Sequence, residues 1–234
     1  MDENWLKKYE EIKDLLVSPK DLELYFTSTQ IGSVEMEVMD VGNVSLPSGK
    51  IIIRDPNVLL EENERPFLIQ APKGNFPVKL AVIKTENSGS RYAAAKIQFT
   101  DNQPMIYREA LKGDEDIENY EKGNFFGFGV DTGLAFITDA EVFAHFFTFR
   151  GGDIPDDKFF DYTTELFENS YQKNPQNQRE IGDWINMNIP ETPYHIPVFA
   201  TGFGDGGYPV YFGYDSQDQI TGLYIYFIDV ESLF

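Results

Sequence analysis

Apolar residues near the start of the chain recur at helical spacing: Trp5, Leu6, Tyr9, Ile12, Leu15 and Leu16 fall between charged neighbours. The pattern predicts an amphipathic helix that packs on the body and ends before Ser18-Pro19, because a proline pushes the preceding residue out of the helical region. From residue 21 to about residue 107 the period changes to short apolar or alternating runs broken by Gly, Pro and Asn. Residues 22–26, 35–39, 50–53, 78–84 and 93–99 read as strands. Leu46-Pro47-Ser48-Gly49-Lys50 supplies a turn into Ile51-Ile52-Ile53, and Arg54-Asp55-Pro56 ends that run, so a hairpin or a strand corner is expected there.

Residues 112–123 are polar and dense in acids, which reads as an exposed loop or the least ordered insertion in the chain. A second β segment, 125–138, comes next. Asp139 then stands ahead of Val142, Phe143, Phe146 and Phe147, a capping residue leading an apolar stripe that should stop at Gly151-Gly152. Pro155-Asp156-Asp157 opens a further helix, with Phe159, Phe160, Thr163, Leu166, Phe167 and Tyr171 as its buried stripe and Asn174-Pro175 as its end. Residues 174–194 read as a connecting loop with at most one helical turn around Asp183-Trp184-Ile185. Runs 198–201, 210–214 and 222–228 return to strands, and Asp205-Gly206-Gly207 reads as the tight turn of a hairpin. The expected fold is α+β and mainly β: sandwich-like antiparallel sheets in one domain, residues 21–234, with an N-terminal helix over residues 1–20 and two peripheral helices.

Composition narrows the function classes. Aromatic residues make up 15% of the chain, too many for an acidic disordered segment, so the formal charge of −20 belongs to the surface of a folded body. Such a field repels phosphate backbones and anionic membranes and favours a partner with a basic face; it also fits plain solubility. The absence of cysteine excludes disulfides, thiolate metal sites and a cysteine nucleophile. The acidic N-terminus lacks a signal core and no long apolar run occurs, so the expected location is the cytoplasm.

Candidate chemistry rests on turns. The segment Gly202-Phe203-Gly204-Asp205-Gly206-Gly207-Tyr208-Pro209 lacks the Gly-Lys-Ser/Thr ending of a phosphate-cradling loop, and it leads into a strand. Turn chemistry accounts for its glycines; the functional reading makes Gly204, Asp205, Gly206 and Gly207 a loop that approaches a ligand, with Asp205 as metal ligand or general base. Asp131-Thr132-Gly133 matches an aspartic-protease half-site, but no second copy occurs, so Asp131 and Asp205 stand as catalytic candidates beside the plain reading of a β-turn. Asp55, Asp131, Asp139 and Asp205 all fall at strand ends or turns, where they could converge on Mg²⁺ or Ca²⁺; Asp139 competes as a helix cap and Asp55 as a turn residue. Otherwise no cofactor is expected. His145 and His195, the only histidines, allow no more than one catalytic or zinc pairing.

Four motifs in order carry a resemblance: Leu46-Pro47-Ser48-Gly49-Lys50-Ile51-Ile52-Ile53-Arg54-Asp55-Pro56, then Phe76-Pro77-Val78, then Val130-Asp131-Thr132-Gly133 with Asp139, then Thr201 through Pro209 with Gly213. The chain from about residue 40 onward resembles the bacterial domain-of-unknown-function family numbered 4241, with Phe203 where that family has tryptophan. The resemblance implies no activity. Three readings remain open: an acidic, non-enzymatic protein of the immunity, antitoxin or anti-defence kind that occupies a basic partner; a metal-assisted hydrolase using the four aspartates; and a small-ligand module whose aromatic pocket is capped by the glycine loop.

Overall fold

In the computed structural model, which describes residues 3–85 and 89–233, the strand runs assemble into two facing antiparallel sheets and a short ribbon. In chain order the first half comprises α1 (Glu3–Ile12), α2 (Leu24–Thr27), β1 (Gln30–Ile31), β2 (Val34–Leu46), β3 (Ile51–Arg54), β4 (Gly74–Thr85), β5 (Gly89–Gln98) and β6 (Ile106–Glu109). The second half comprises β7 (Phe128–Val130), β8 (Leu134–Asp139), α3 (Ala140–Phe149), α4 (Asp157–Lys173), β9 (Trp184–Asn188), β10 (His195–Ala200), β11 (Gly206–Tyr208), β12 (Val210–Tyr214), β13 (Ile220–Tyr226) and α5 (Val230–Leu233). The larger sheet runs β1-β2-β4-β5-β13-β12-β6, the smaller β3-β8-β10-β9, and β11 pairs with β7 as the ribbon.

Strand alternation builds three layers. Val44, Leu80, Ile97, Phe212 and Leu223 of the larger sheet pack against Ile53, Ile137 and Phe199 of the smaller one in a single buried cluster. Because successive side chains of a strand face opposite ways, Ile52, Phe136 and Val198 leave the smaller sheet on its other side. There they meet Phe143 and Phe146 of α3 and Phe159 of α4. Strands β3, β8 and β10 are therefore buried on both faces, which is why Ile51-Ile52-Ile53 of β3 and residues 196–200 of β10 read as continuous apolar runs, whereas β9 at the edge alternates. Fully burying a Phe or Ile of this kind is worth about 1.5–3 kcal/mol.

Both helix caps are where the acids predicted them. Asp139 accepts a hydrogen bond from the Glu141 N–H, and Asp156 accepts one from the Phe159 N–H. Phe160 points outward, 43% exposed, so the buried stripe of α4 is narrower than its apolar residues suggested. Residues 22–26 form a helical turn and not a strand: Leu22 and Tyr25, three apart, both turn inward onto the outer face of the larger sheet. The region 174–194, expected as a loop, contains β9, whose Ile185 and Met187 alternate into the core. Residues 112–123 are tied down, with Ile117 buried beneath α1 and the Trp5 indole donating to the Glu115 carbonyl. Among the described residues no helix is long and apolar enough to cross a membrane.

The glycine segment is the largest departure. The strands before and after it, β10 and β12, belong to different sheets, so the segment is a crossover and not a hairpin turn. The Leu46-to-Ile51 turn does the same at its own corner, carrying the chain from β2 in the larger sheet to β3 in the smaller one.

Candidate functional site

The two turn motifs meet at one end of the sandwich. Gly206 pairs with Val130 in the β11–β7 ribbon, so Asp205 and Asp131 stand one step beyond its last pair on opposite strands. The Thr201 N–H donates to the Gly133 carbonyl at 3.0 Å. A Cβ on Gly133 would lie 3.6 Å from the Gly204 Cα, so the backbones of the two loops are in contact.

Each loop is fastened from below. Asp55, wholly buried, accepts from the Asp131 N–H at 2.9 Å, the Thr132 N–H at 2.7 Å, the Thr132 hydroxyl at 2.7 Å and the Asn57 N–H at 2.9 Å. A buried carboxylate is stable when its lone pairs are filled in this way. The glycine loop closes on itself: Gly204 N–H donates to the Thr201 carbonyl, while the Thr201 and Tyr208 hydroxyls donate to the Gly204 carbonyl at 2.8 and 2.6 Å. Phe203 is thereby held out at the tip, 58% exposed.

The four aspartates do not gather around one point. Asp139 lies at the far end of β8 from the Asp131 turn, and its carboxylate accepts from Ser48 N–H, Ser48 hydroxyl, Gly49 N–H and Glu141 N–H. It joins the 46–50 corner to α3. Asp55 is likewise taken up by backbone donors, whereas Asp131 and Asp205 are exposed at the loop surface. Among the described residues no group of three or more His, Asp or Glu is set to hold a metal ion. His145 and His195 are both exposed, His145 with its ring 5.8 Å from that of Tyr194.

Beside the two loops lies a pocket of about 480 Å³. Leu134 and Ala200 form its floor where β8 begins and β10 ends, and Thr132, Gly133 and the 201–204 loop form one wall. The facing wall is the middle of α4, with Thr164, Phe167 and Glu168, and the turn 179–182. That turn presses on α4 because residue 182 is glycine: at φ +85° a Cβ there would fall 2.2 Å from the Phe167 carbonyl oxygen.

Two arginines enter the pocket. Buried Asp183 accepts from the Arg179 N–H at 2.6 Å and from its Nε at 2.7 Å, which fixes the Arg179 side chain. Arg91, from β5, donates through Nη1 to the Ser90 carbonyl and has no ion-pair partner among the described residues. Burial first, and then the neighbouring Arg179 guanidinium, lower the Arg91 pKa from its ordinary value, while Asp183 pulls it back. The sequence marked the loops as candidate sites but not Arg91 or Arg179, and it placed Phe167 only in a buried helical stripe and Asp183 only in a helical turn. These come from three separate stretches with no shared spacing, and only the scarcity of cations in the chain, 19 Lys and Arg against 39 acids, gave either arginine any prominence.

A second cavity of about 610 Å³ lies near α1, lined by Leu15, Tyr120, Phe125, Tyr211, Tyr226 and Phe227 among others. A family model described as a protein of unknown function, DUF4241, matches residues 44–225. All residues lining the pocket beside the glycine loop fall inside that span, whereas the cavity near α1 draws on residues before and after it. No curated protein matches the chain, and no solved structure matches it.

Proposed function

We propose that this protein, which belongs to the DUF4241 family, is a binding module for a small molecule held between the glycine loop and α4. One observation carries the reading: two turn motifs far apart in sequence, Asp131-Thr132-Gly133 and Thr201-Gly202-Phe203-Gly204, are fastened together and supply one wall of a single pocket. Its volume and its mix of apolar floor with a few fixed polar groups suit a small ligand. A side chain placed across the pocket from α4 tests the proposal. Compounds that raise the melting temperature of the parent protein should lose that effect in Thr164→Trp, where the indole occupies the space, since a ligand stabilises only the state it binds. Hits that stabilise both proteins equally would sink it.

A second reading has its own support. Asp157, Asp161, Glu165 and Glu168 recur at helical spacing along α4 and are all exposed, an acidic face on a chain of net charge −20. A basic protein suits that face, and an immunity or antitoxin role is one setting for it. Capture of such a partner from the host should weaken as salt rises and disappear when the four acids are changed to lysine. Capture indifferent to both changes would count against it.

A further inference from the structure

If the pocket between the glycine loop and α4 is a ligand site, as proposed, its charges specify the ligand more closely than its shape does. In a chain with 39 acids, Arg91 and Arg179 both line it, and both also line the narrow crevice that continues past Ser90, Tyr92 and Asp183. Asp183 binds Arg179 through Nε and Nη2, both on one edge of the guanidinium, and Nη1 makes no hydrogen bond to a described residue. Arg91 is half-buried, and among the described residues Nη1 is its one hydrogen-bonded side-chain donor, on the Ser90 carbonyl. Where the pocket meets the crevice, the described residues thus bring together two guanidiniums, that of Arg179 with its side chain 49% exposed, and one buried carboxylate, Asp183, already committed to Arg179. Glu168, the other acid on the lining, is exposed on the α4 rim where water screens it.

A partly desolvated guanidinium without a carboxylate is costly, and an oxyanion offsets that cost with short, charge-assisted hydrogen bonds in a fork geometry. We propose that the pocket takes a ligand with an oxyanion, a carboxylate or a phosphate, seated between Arg91 and Arg179, and an apolar body lying on Leu134 and Phe167 beneath Phe203. Asp183 is then a positioning residue: it holds Arg179 in place and reaches the ligand only through it.

Three probes of one shape test this by calorimetry at low salt: phenyl phosphate, phenylacetate and uncharged benzyl alcohol. The parent should bind at least one of the two anions, and bind benzyl alcohol at least roughly tenfold more weakly. Which anion wins identifies the oxyanion. Arg91→Gln should weaken anion binding by at least roughly tenfold, and Arg91→Lys, which keeps the charge without the fork, should recover part of the loss. Circular dichroism and thermal melting of both variants separate lost binding from lost folding, and a folded Arg91→Lys suffices should Arg91→Gln not fold. The inference is overturned if neither anion binds, or if folded Arg91 variants bind the anion as tightly as the parent. Tight binding of benzyl alcohol alone overturns it too, while leaving the pocket reading standing.

Discussion

The carboxylate of Asp55 accepts the backbone N–H of Thr132 at 2.7 Å across 77 positions of sequence. Through this contact the end of β3 fixes the Asp131-Thr132-Gly133 turn, and through that turn it fixes the glycine loop. Asp55→Ala should remove an acceptor for three backbone N–H groups and a hydroxyl. These donors are part-buried and water can reach some of them, so each loss falls at or below the low end of about 1–3 kcal/mol, and a total of about 2–3 kcal/mol is expected, read as a lower urea midpoint.

Glu109 predicts how stability depends on pH. Burial raises its pKa from 4.5 to about 7, against the opposing pull of the Phe126 and Gly127 N–H groups that donate to its Oε1. Between pH 4.5 and about 7 the unfolded chain sheds this proton while the folded chain keeps it. The residue therefore contributes a fall in stability with rising pH across that window, of about 1.4 kcal/mol per unit at most. Glu109→Gln keeps an acceptor for both N–H groups and has nothing to titrate. It should be more stable than the parent at pH 8, with the difference shrinking as pH falls through the window, as urea titrations at several pH values would record.

Gly182→Ala should open the pocket from its far wall. The new methyl would meet the Phe167 carbonyl at 2.2 Å in a backbone conformation that alanine adopts at a cost, so α4 and the 179–182 turn must separate. The expected loss is about 2 kcal/mol or more, together with weaker binding of any ligand that contacts Phe167. Unchanged melting and binding would show that this contact is not what sets the wall.

Arg150 is fully buried, and its guanidinium donates to the carbonyls of Val58, Gly152 and Asp153 at 2.9, 3.1 and 3.2 Å. Burial pushes its pKa down to about 10. Arg150→Met should strand those three carbonyls and cost about 3 kcal/mol, and Arg150→Lys should recover only part because an ammonium cannot span all three. Differential scanning calorimetry of the two variants would rank them.

The sequence was legible where one physical rule acted alone. Asp139 and Asp156 announce helix starts because each carboxylate stands just ahead of an apolar stripe, and the Ile51-Ile52-Ile53 run announces a strand that begins at a corner. It was illegible where long-range pairing decided. The glycines of the 202–207 loop satisfy a hairpin and a sheet-to-sheet crossover equally well, and only the partners of β10 and β12 choose between them. The aspartates looked like ligands because strand ends and turns are where ligands sit. The same places need carboxylates to hold loose backbone N–H groups, and Asp55 and Asp139 are spent on that. Arg91 and Arg179 meet only after β5 and the turn before β9 have found their places, so no spacing in the chain foretells them.

Binding of a small molecule in the pocket between the glycine loop and α4 can be located residue by residue, from backbone NMR spectra recorded with and without a stabilising hit. Shifts should concentrate at Arg91, Leu134, Phe167, Ile181, Phe203 and Gly204. Shifts confined to Leu15, Tyr120, Tyr211 and Tyr226, around the cavity near α1, would contradict the proposed site.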